Sequence, residues 1–367
     1  MAKRRRINEI DLLRFVAALS VVLYHYSFRG HAADDLSVMP YPVLDTVARY
    51  GYLGVDLFFL ISGFVILMTA SSGSLKDFVI SRAVRLYPAF WACCSLTFVV
   101  LLFAAHPTLH VSASQYAVNL TMLNGFIGIP SIDGVYWSLF IELQFYFLVA
   151  VVLATGRIHQ AEMLLLLWLV AVMVVEAFVP SGKLRFLLIA DYAAEFIAGA
   201  MAFLILSKGP SALRLFAFAT AWIVTVCQSL DRVEANEQYY HTDWNATGVV
   251  VVVTLIFAVM LMVATGRTGA LGRRNWLLIG SLTYPLYLLH QNVGYVVFNA
   301  AYPAVNPHIL LWGTLALMLL AAYAVHRLVE RKLGAPMKRV LNRGYDVTSE
   351  WLRGWKGAMR PVRDRLP

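Results

Sequence analysis

The chain has 367 residues, 60% of them hydrophobic and 14% charged, with 30 Lys and Arg against 21 Asp and Glu. Soluble domains carry roughly a quarter charged residues, so this composition excludes a water-soluble fold and predicts an all-α, polytopic bundle of transmembrane helices. Long continuous apolar runs also exclude a transmembrane barrel, whose strands alternate over about ten residues.

The first six residues, with Lys3, Arg4, Arg5 and Arg6, form a basic start. A signal peptide begins similarly, but the apolar run that follows ends in Tyr24, His25, Tyr26, Ser27 and Phe28 with no small-residue cleavage pattern, so it reads as a retained helix. Ten spans are predicted, near 12–26, 50–70, 86–105, 135–155, 163–180, 186–206, 214–230, 247–265, 277–299 and 309–328. A short basic loop carrying Lys76, Arg82 and Arg85 precedes the third span, which opens at Leu86, Tyr87 and Pro88. Ten spans place both termini on one side. That side collects 24 Lys and Arg; the other holds Arg29, Arg49, Lys183, Arg185 and Arg232, and Arg14 falls inside the first span. Such asymmetry puts both ends in the cytoplasm and the protein, multi-pass, in a cell inner (plasma) membrane. The opposite loops include Asp34, Asp133, Glu234 and Glu237, and two glycosylation sequons at Asn119 and Asn245, which matter only in a secretory-pathway host.

Residues 1–330 are expected to form the membrane domain and 331–367 a basic cytoplasmic tail. In the tail, Trp351, Leu352, Trp355 and Met359 follow helical spacing, interleaved with Arg353, Lys356, Arg360 and Arg363, as in an amphipathic helix lying on an anionic leaflet. The net charge of +9 is thus placed at a membrane surface, and a nucleic-acid partner is not expected. Cys93, Cys94 and Cys227 have no spacing suited to a disulfide framework or a metal site, and read as small apolar core residues.

Ionisable side chains inside such spans are costly and mark function by default. Arg14 and His25 are eleven residues apart, which at 100° per residue puts them on one helix face, roughly 16 Å apart along the axis. Counting from the span ends, His25, Asp56, Glu142 and His290 fall in the outer half, while Arg14, Arg82 and Arg85 lie at the inner face. Each has a structural reading too. His25 can snorkel to an interface, Asp56 can end a helix, Glu142 can sit in an ion pair, His290 can satisfy a carbonyl near the Pro285 kink, and Arg82 and Arg85 can be topology anchors. Trp137 and the tyrosines read as interfacial belt and packing residues.

Five stretches in order resemble the signature of the acyltransferase-3 family of integral membrane acyltransferases. They are Arg14 with His25; Gly54-Val-Asp-Leu-Phe-Phe-Leu-Ile-Ser-Gly-Phe64; Arg82-Ala-Val-Arg85-Leu-Tyr-Pro88; Trp137-Ser-Leu-Phe-Ile-Glu142; and the Ser, Tyr and His pattern of Ser281 to His290. The resemblance implies transfer of an acyl group, typically acetyl, from a cytoplasmic donor to a hydroxyl of an extracytoplasmic glycan or lipid-linked saccharide. Acyl-CoA would be a substrate, with no resident cofactor or metal. The residue chemistry agrees. Arg14, Arg82 and Arg85 suit the phosphates of coenzyme A. His25 suits a general base, oriented by a carboxylate such as Glu142. Asp56, Ser62, Tyr284 and His290 are supporting candidates, Ser62 and Tyr284 as donors to the developing oxyanion. The competing class is a proton-coupled transporter, since His, Asp and Glu in membrane helices also build proton relays.

Overall fold

The computed structural model describes residues 7–33, 35–104, 108–179 and 181–358, with side chains described as far as residue 349. Every regular element among them is helical. The long helices are α1 (Asn8–Tyr24), α2 (Gly54–Ala70), α3 (Leu75–Leu102), α4 (Trp137–Ala154), α5 (Ala161–Phe178), α6 (Ala193–Lys208), α7 (Ala212–Tyr240), α8 (Ala246–Ala264), α9 (Leu277–Ala301), α10 (Pro307–Val325) and α11 (Arg331–Ala358). Nine helical stretches among the described residues are long and apolar enough to cross a membrane. Helix α9 is not among the nine, because Thr283, His290, Gln291 and Asn292 lower its apolarity, yet its 25 residues are enough to span about 37 Å. With α9 the ten predicted spans each fall on a helix, and the protein is a multi-pass membrane bundle.

Helices α2 and α6 form the centre, buried over most of their length. Their backbones touch: a Cβ on Gly63 would run into the Phe196 carbonyl and one on Gly199 into the Leu60 carbonyl. Small residues permit such approach where lipid supplies no hydrophobic drive between helices. The outer helices turn apolar side chains outward, as Phe147, Phe178, Phe216 and Leu320 show, all of them exposed. In a membrane that surface faces lipid.

Several boundaries depart from the sequence expectation. Helix α3 begins eleven residues before the predicted third span, capped by Ser74, whose hydroxyl accepts the Asp77 N–H. Pro88 sits inside this helix rather than opening it, so Arg82 and Arg85 lie on the helix and not in a loop. The predicted sixth span is split into a short helix, Gly182–Leu188, and α6, separated at Ile189, whose backbone is left-handed at φ 53°. Helix α7 runs ten residues past its predicted end and carries Arg232, Glu234 and Glu237, which apolarity alone assigns to a loop. Asn119 is fully buried, its amide donating to the Gln115 and Pro130 carbonyls, so it is unsuited as a glycosylation acceptor. Cys93 and Cys94 are buried, whereas Cys227 is exposed on α7, contrary to its expected core position.

A π turn, His326–Glu330, joins α10 to α11. Helix α11 lies along α3, tied by a Lys76–Asp346 ion pair at 2.6 Å. The amphipathic pattern expected of Trp351, Leu352, Trp355 and Met359 with Arg353, Lys356, Arg360 and Arg363 lies outside the residues whose side chains are described, as do the basic residues 3–6 and Asp34.

Candidate active site

Helix α1 does not end as a regular helix. At His25–Arg29 it widens into a π turn, a local distortion often found at functional sites. The turn lies against α9, where Gly294 gives the Tyr26 ring room that a Cβ would occupy, and Tyr26 donates to the His290 carbonyl at 2.8 Å. The start of α4 is fastened to the same helix. Buried Asp133 accepts the backbone N–H groups of Val135 and Asn292, at 3.1 and 3.0 Å.

This packing brings His25 and His290 together. Their rings are 4.9 Å apart, with His290 Nε2 3.0 Å from His25 Nδ1. The partners assign the tautomers. His290 Nδ1 faces the Tyr287 and Leu286 carbonyls, at 2.9 and 3.3 Å; both can only accept, so Nδ1 carries the proton and Nε2 is a bare acceptor. His25 Nδ1 faces that acceptor and the Val21 carbonyl, at 2.9 Å, so it too carries its proton. The lone pair of His25 is thereby left on Nε2, which no hydrogen bond among the described residues engages. His290 thus bonds carbonyls next to Pro285 and at the same time touches His25, a contact that the sequence reading did not foresee.

Glu142 is placed differently from expectation. Its Oε1 accepts from Ser62 and Tyr146, each at 2.7 Å, and it lines a cavity of about 90 Å³ together with Arg14, Arg82 and Arg85. Arg14 lies within electrostatic range of both Glu142 and Arg85. The contact that orients His25 comes from His290, not from this carboxylate. Counting depth from the end of the fourth span groups Glu142 with His25, and starting α3 too late leaves Arg82 and Arg85 outside; the true start carries the two arginines into the bundle, where they share a cavity with Glu142. Ser62 and Tyr284 line the same cavity, but each hydroxyl already donates to a protein oxygen, Ser62 to Glu142 and Tyr284 to the Leu86 carbonyl at 3.3 Å.

His25 lines a second cavity, of about 260 Å³, with Asp56, Trp137, Tyr192, Arg232 and Gln291 on its walls. Val55 and Tyr287 border both cavities and form the wall between them. Tyr287 is fixed there by Ser138, 2.7 Å away, and by the Val135 carbonyl. Arg29 donates to Tyr240 at 2.7 Å, and Tyr240 meets Tyr24 at 2.5 Å. Arg232, expected in a loop, lies 3.7 Å from Asp56. Glu195, fully buried on α6 beside this pair, is a further residue that sequence reasoning missed; a carboxylate inside a predicted apolar span is the signal that could have found it. Among the described residues no cluster of His, Cys, Asp and Glu is arranged to hold a metal ion.

A family model described as an acyltransferase domain matches residues 7–327. Nodulation protein 10 of Rhizobium leguminosarum is 30% identical over 169 residues, 41% of this chain and 45% of that protein. The peptidoglycan O-acetyltransferase OatA of Listeria monocytogenes is 31% identical over 164 residues, 39% of this chain and 23% of that one. An O-acetyl transferase of the Shigella phage Sf6 is 37% identical over 93 residues, 25% of this chain and 26% of that protein. The chain spans less than half the length of each of these relatives, and no solved structure matches it. A match running from residue 7 to residue 327, over the helices that build both cavities, means that the chain belongs to the acyltransferase-3 family.

Proposed function

We propose that this protein is a membrane O-acyltransferase that moves an acyl group, typically acetyl, from acyl-CoA on the cytoplasmic side to a hydroxyl of an extracytoplasmic glycan or lipid-linked saccharide. The observation that carries the reading is the geometry at His25. His25 lines one cavity, its Nε2 outside every hydrogen bond among the described residues, and Val55 and Tyr287 divide that cavity from the one lined by Arg14, Arg82 and Arg85. The names of two relatives, a peptidoglycan O-acetyltransferase and an O-acetyl transferase, agree with this chemistry.

In this reading the acyl-CoA phosphates meet Arg14, Arg82 and Arg85, whose planar forks suit phosphate oxygens. Glu142, held by Ser62 and Tyr146, lines the cavity with these cations and offsets their mutual repulsion. The acyl arm passes between Val55 and Tyr287. An acceptor hydroxyl in the second cavity gives its proton to His25 Nε2 while its oxygen attacks the thioester carbonyl carbon. The imidazolium so formed is stabilised through Nδ1–H by the Val21 carbonyl and His290 Nε2. The tetrahedral intermediate then expels the CoA thiolate, which takes the proton from His25, so the cycle closes with no net proton change. In an alternative sequence His25 attacks first and passes the acyl group on.

The test is CoA release and ester formation by purified protein given acetyl-CoA and a saccharide acceptor. His25→Ala should lower the rate by about 10²- to 10⁴-fold with membrane insertion intact. Trapping of label on His25 with donor alone would select the two-step sequence; wild-type turnover in the variant would remove His25 from the mechanism.

A further inference from the structure

The cavity next to His25 carries a feature that proton transfer does not use. Asp56 is 3% exposed, and its Oδ2 is buried with no hydrogen bond, while Oδ1 lies 3.7 Å from Arg232. A buried carboxylate oxygen without a donor is costly, and this side chain lines the cavity wall. The same cavity has an aromatic wall, with the Arg232 guanidinium over the Tyr192 ring, 5.4 Å from its centroid. Trp137 and Tyr192 lie with ring centroids 5.5 Å apart and planes 37° apart, and Phe59 backs both rings, at 6.2 and 4.8 Å. Trp137 is nevertheless 42% exposed, at the first turn of α4. Its sequence position suits an interfacial belt residue; its place on the cavity wall gives it another use.

The exposed ring of Trp137 and a carboxylate without a hydrogen-bond donor, lining one cavity, match the two surfaces of a pyranose. The ring has a C–H face that lies flat on an aromatic plane and an edge of hydroxyl donors. At about 260 Å³ the cavity falls just short of the roughly 300–1,000 Å³ of pockets for drug-sized ligands. It therefore suits one ring, with further residues of a glycan left outside.

We propose that this cavity is a single-pyranose subsite in which the sugar lies against Trp137 and donates a hydrogen bond from a ring hydroxyl to the Asp56 carboxylate, presenting a neighbouring hydroxyl to His25. Asp56 and Trp137 thus determine which acceptor is used. The inference rests on the O-acyltransferase reading for its functional meaning, but the binding it asserts is measurable without turnover.

Saturation-transfer NMR on the detergent-solubilised full chain, with a panel of methyl hexopyranosides and with sorbitol as an open-chain control, reads the binding directly. At least one pyranoside should give a signal and sorbitol should not. Trp137→Ala and Asp56→Asn should each weaken that signal, with Trp137→Phe recovering most of it. In the transfer assay the same two variants should raise the acceptor KM about tenfold, with the donor KM unchanged and kcat at saturation altered much less. Removal of the hydroxyl that Asp56 reads should weaken the wild type but add little to Asp56→Asn. Signals equal for sorbitol and the pyranosides, or unchanged by both substitutions, would overturn the subsite. So would a rise in donor KM together with a fall in kcat and melting temperature, which would assign Asp56 to holding the fold through Arg232. Pyranoside binding with no acyl transfer from any donor would instead count against the reaction and leave the subsite standing.

Discussion

The Nε2 atom of His25 is available because another histidine occupies the acceptor position at Nδ1. His290→Leu removes that acceptor and leaves Val21 as the remaining partner, so the ring loses part of what fixes its tautomer. The expected cost is about 10-fold or more in kcat, with little change in either KM. Gln at 290, which keeps an accepting oxygen, should recover part of it. Combined with His25→Ala, His290→Leu should add almost nothing, because groups acting as a unit are not additive. Steady-state kinetics of the four proteins checks this; full additivity would mean that His290 serves α9 alone. Arg82→Ala and Arg85→Ala should each raise the donor KM about tenfold without touching the acceptor KM. Glu142→Gln should follow that donor-side pattern. His25 is legible in the sequence, since eleven residues of helix align it with Arg14 and an imidazole in an apolar span needs a reason. Its partner is not: His290 is 265 residues away, and no local pattern encodes the π turn that aims the ring. The carboxylate that the sequence favours as the orienting group belongs to the other cavity.

At the level of helices, apolar runs locate all ten spans, while polar residues hide their ends. Helix α7 continues through Asp231, Arg232 and Glu234 because helix propensity and tertiary packing, not apolarity, set its limit. Helix α3 tolerates Pro88 in its interior, so a proline that suggests the beginning of a span marks nothing of the kind. Both errors move site arginines out of the membrane and into loops. The close crossing of α2 and α6 gives a sharp stability prediction. Gly199→Val would force a side chain into the Leu60 carbonyl and should cost about 3 kcal/mol or more. Gly313, in α10, has nothing within 4 Å of a built Cβ, and Gly313→Ala should be neutral or stabilising by up to about 1 kcal/mol. Thermal unfolding in detergent compares the two; equal behaviour would deny that the α2–α6 contact is tight.

Across the whole molecule, the two cavities give the bundle a direction. Arg14, Arg82 and Arg85 line one, His25 with Arg29 and Arg232 the other, and the distribution of Lys and Arg in the sequence predicts that the side bearing Arg82 and Arg85 faces the cytoplasm. The predicted polarity rests on counting charges between spans, which survives errors of several residues at each end. The shared wall at Val55 and Tyr287 is not legible in the sequence, since it arises where α2 and α9 meet. Orientation is checked by single cysteines at Lys338 and Lys183 in a Cys227→Ser background: an impermeant maleimide should label only position 183 in intact cells. The most direct test of the account is vectorial transfer in sealed proteoliposomes, with labelled acetyl-CoA on the side bearing Lys338 and a saccharide acceptor on the other. The wild type should deliver label to the acceptor across the bilayer and His25→Ala should not; equal delivery by both proteins, or delivery only when donor and acceptor share one side, would contradict it.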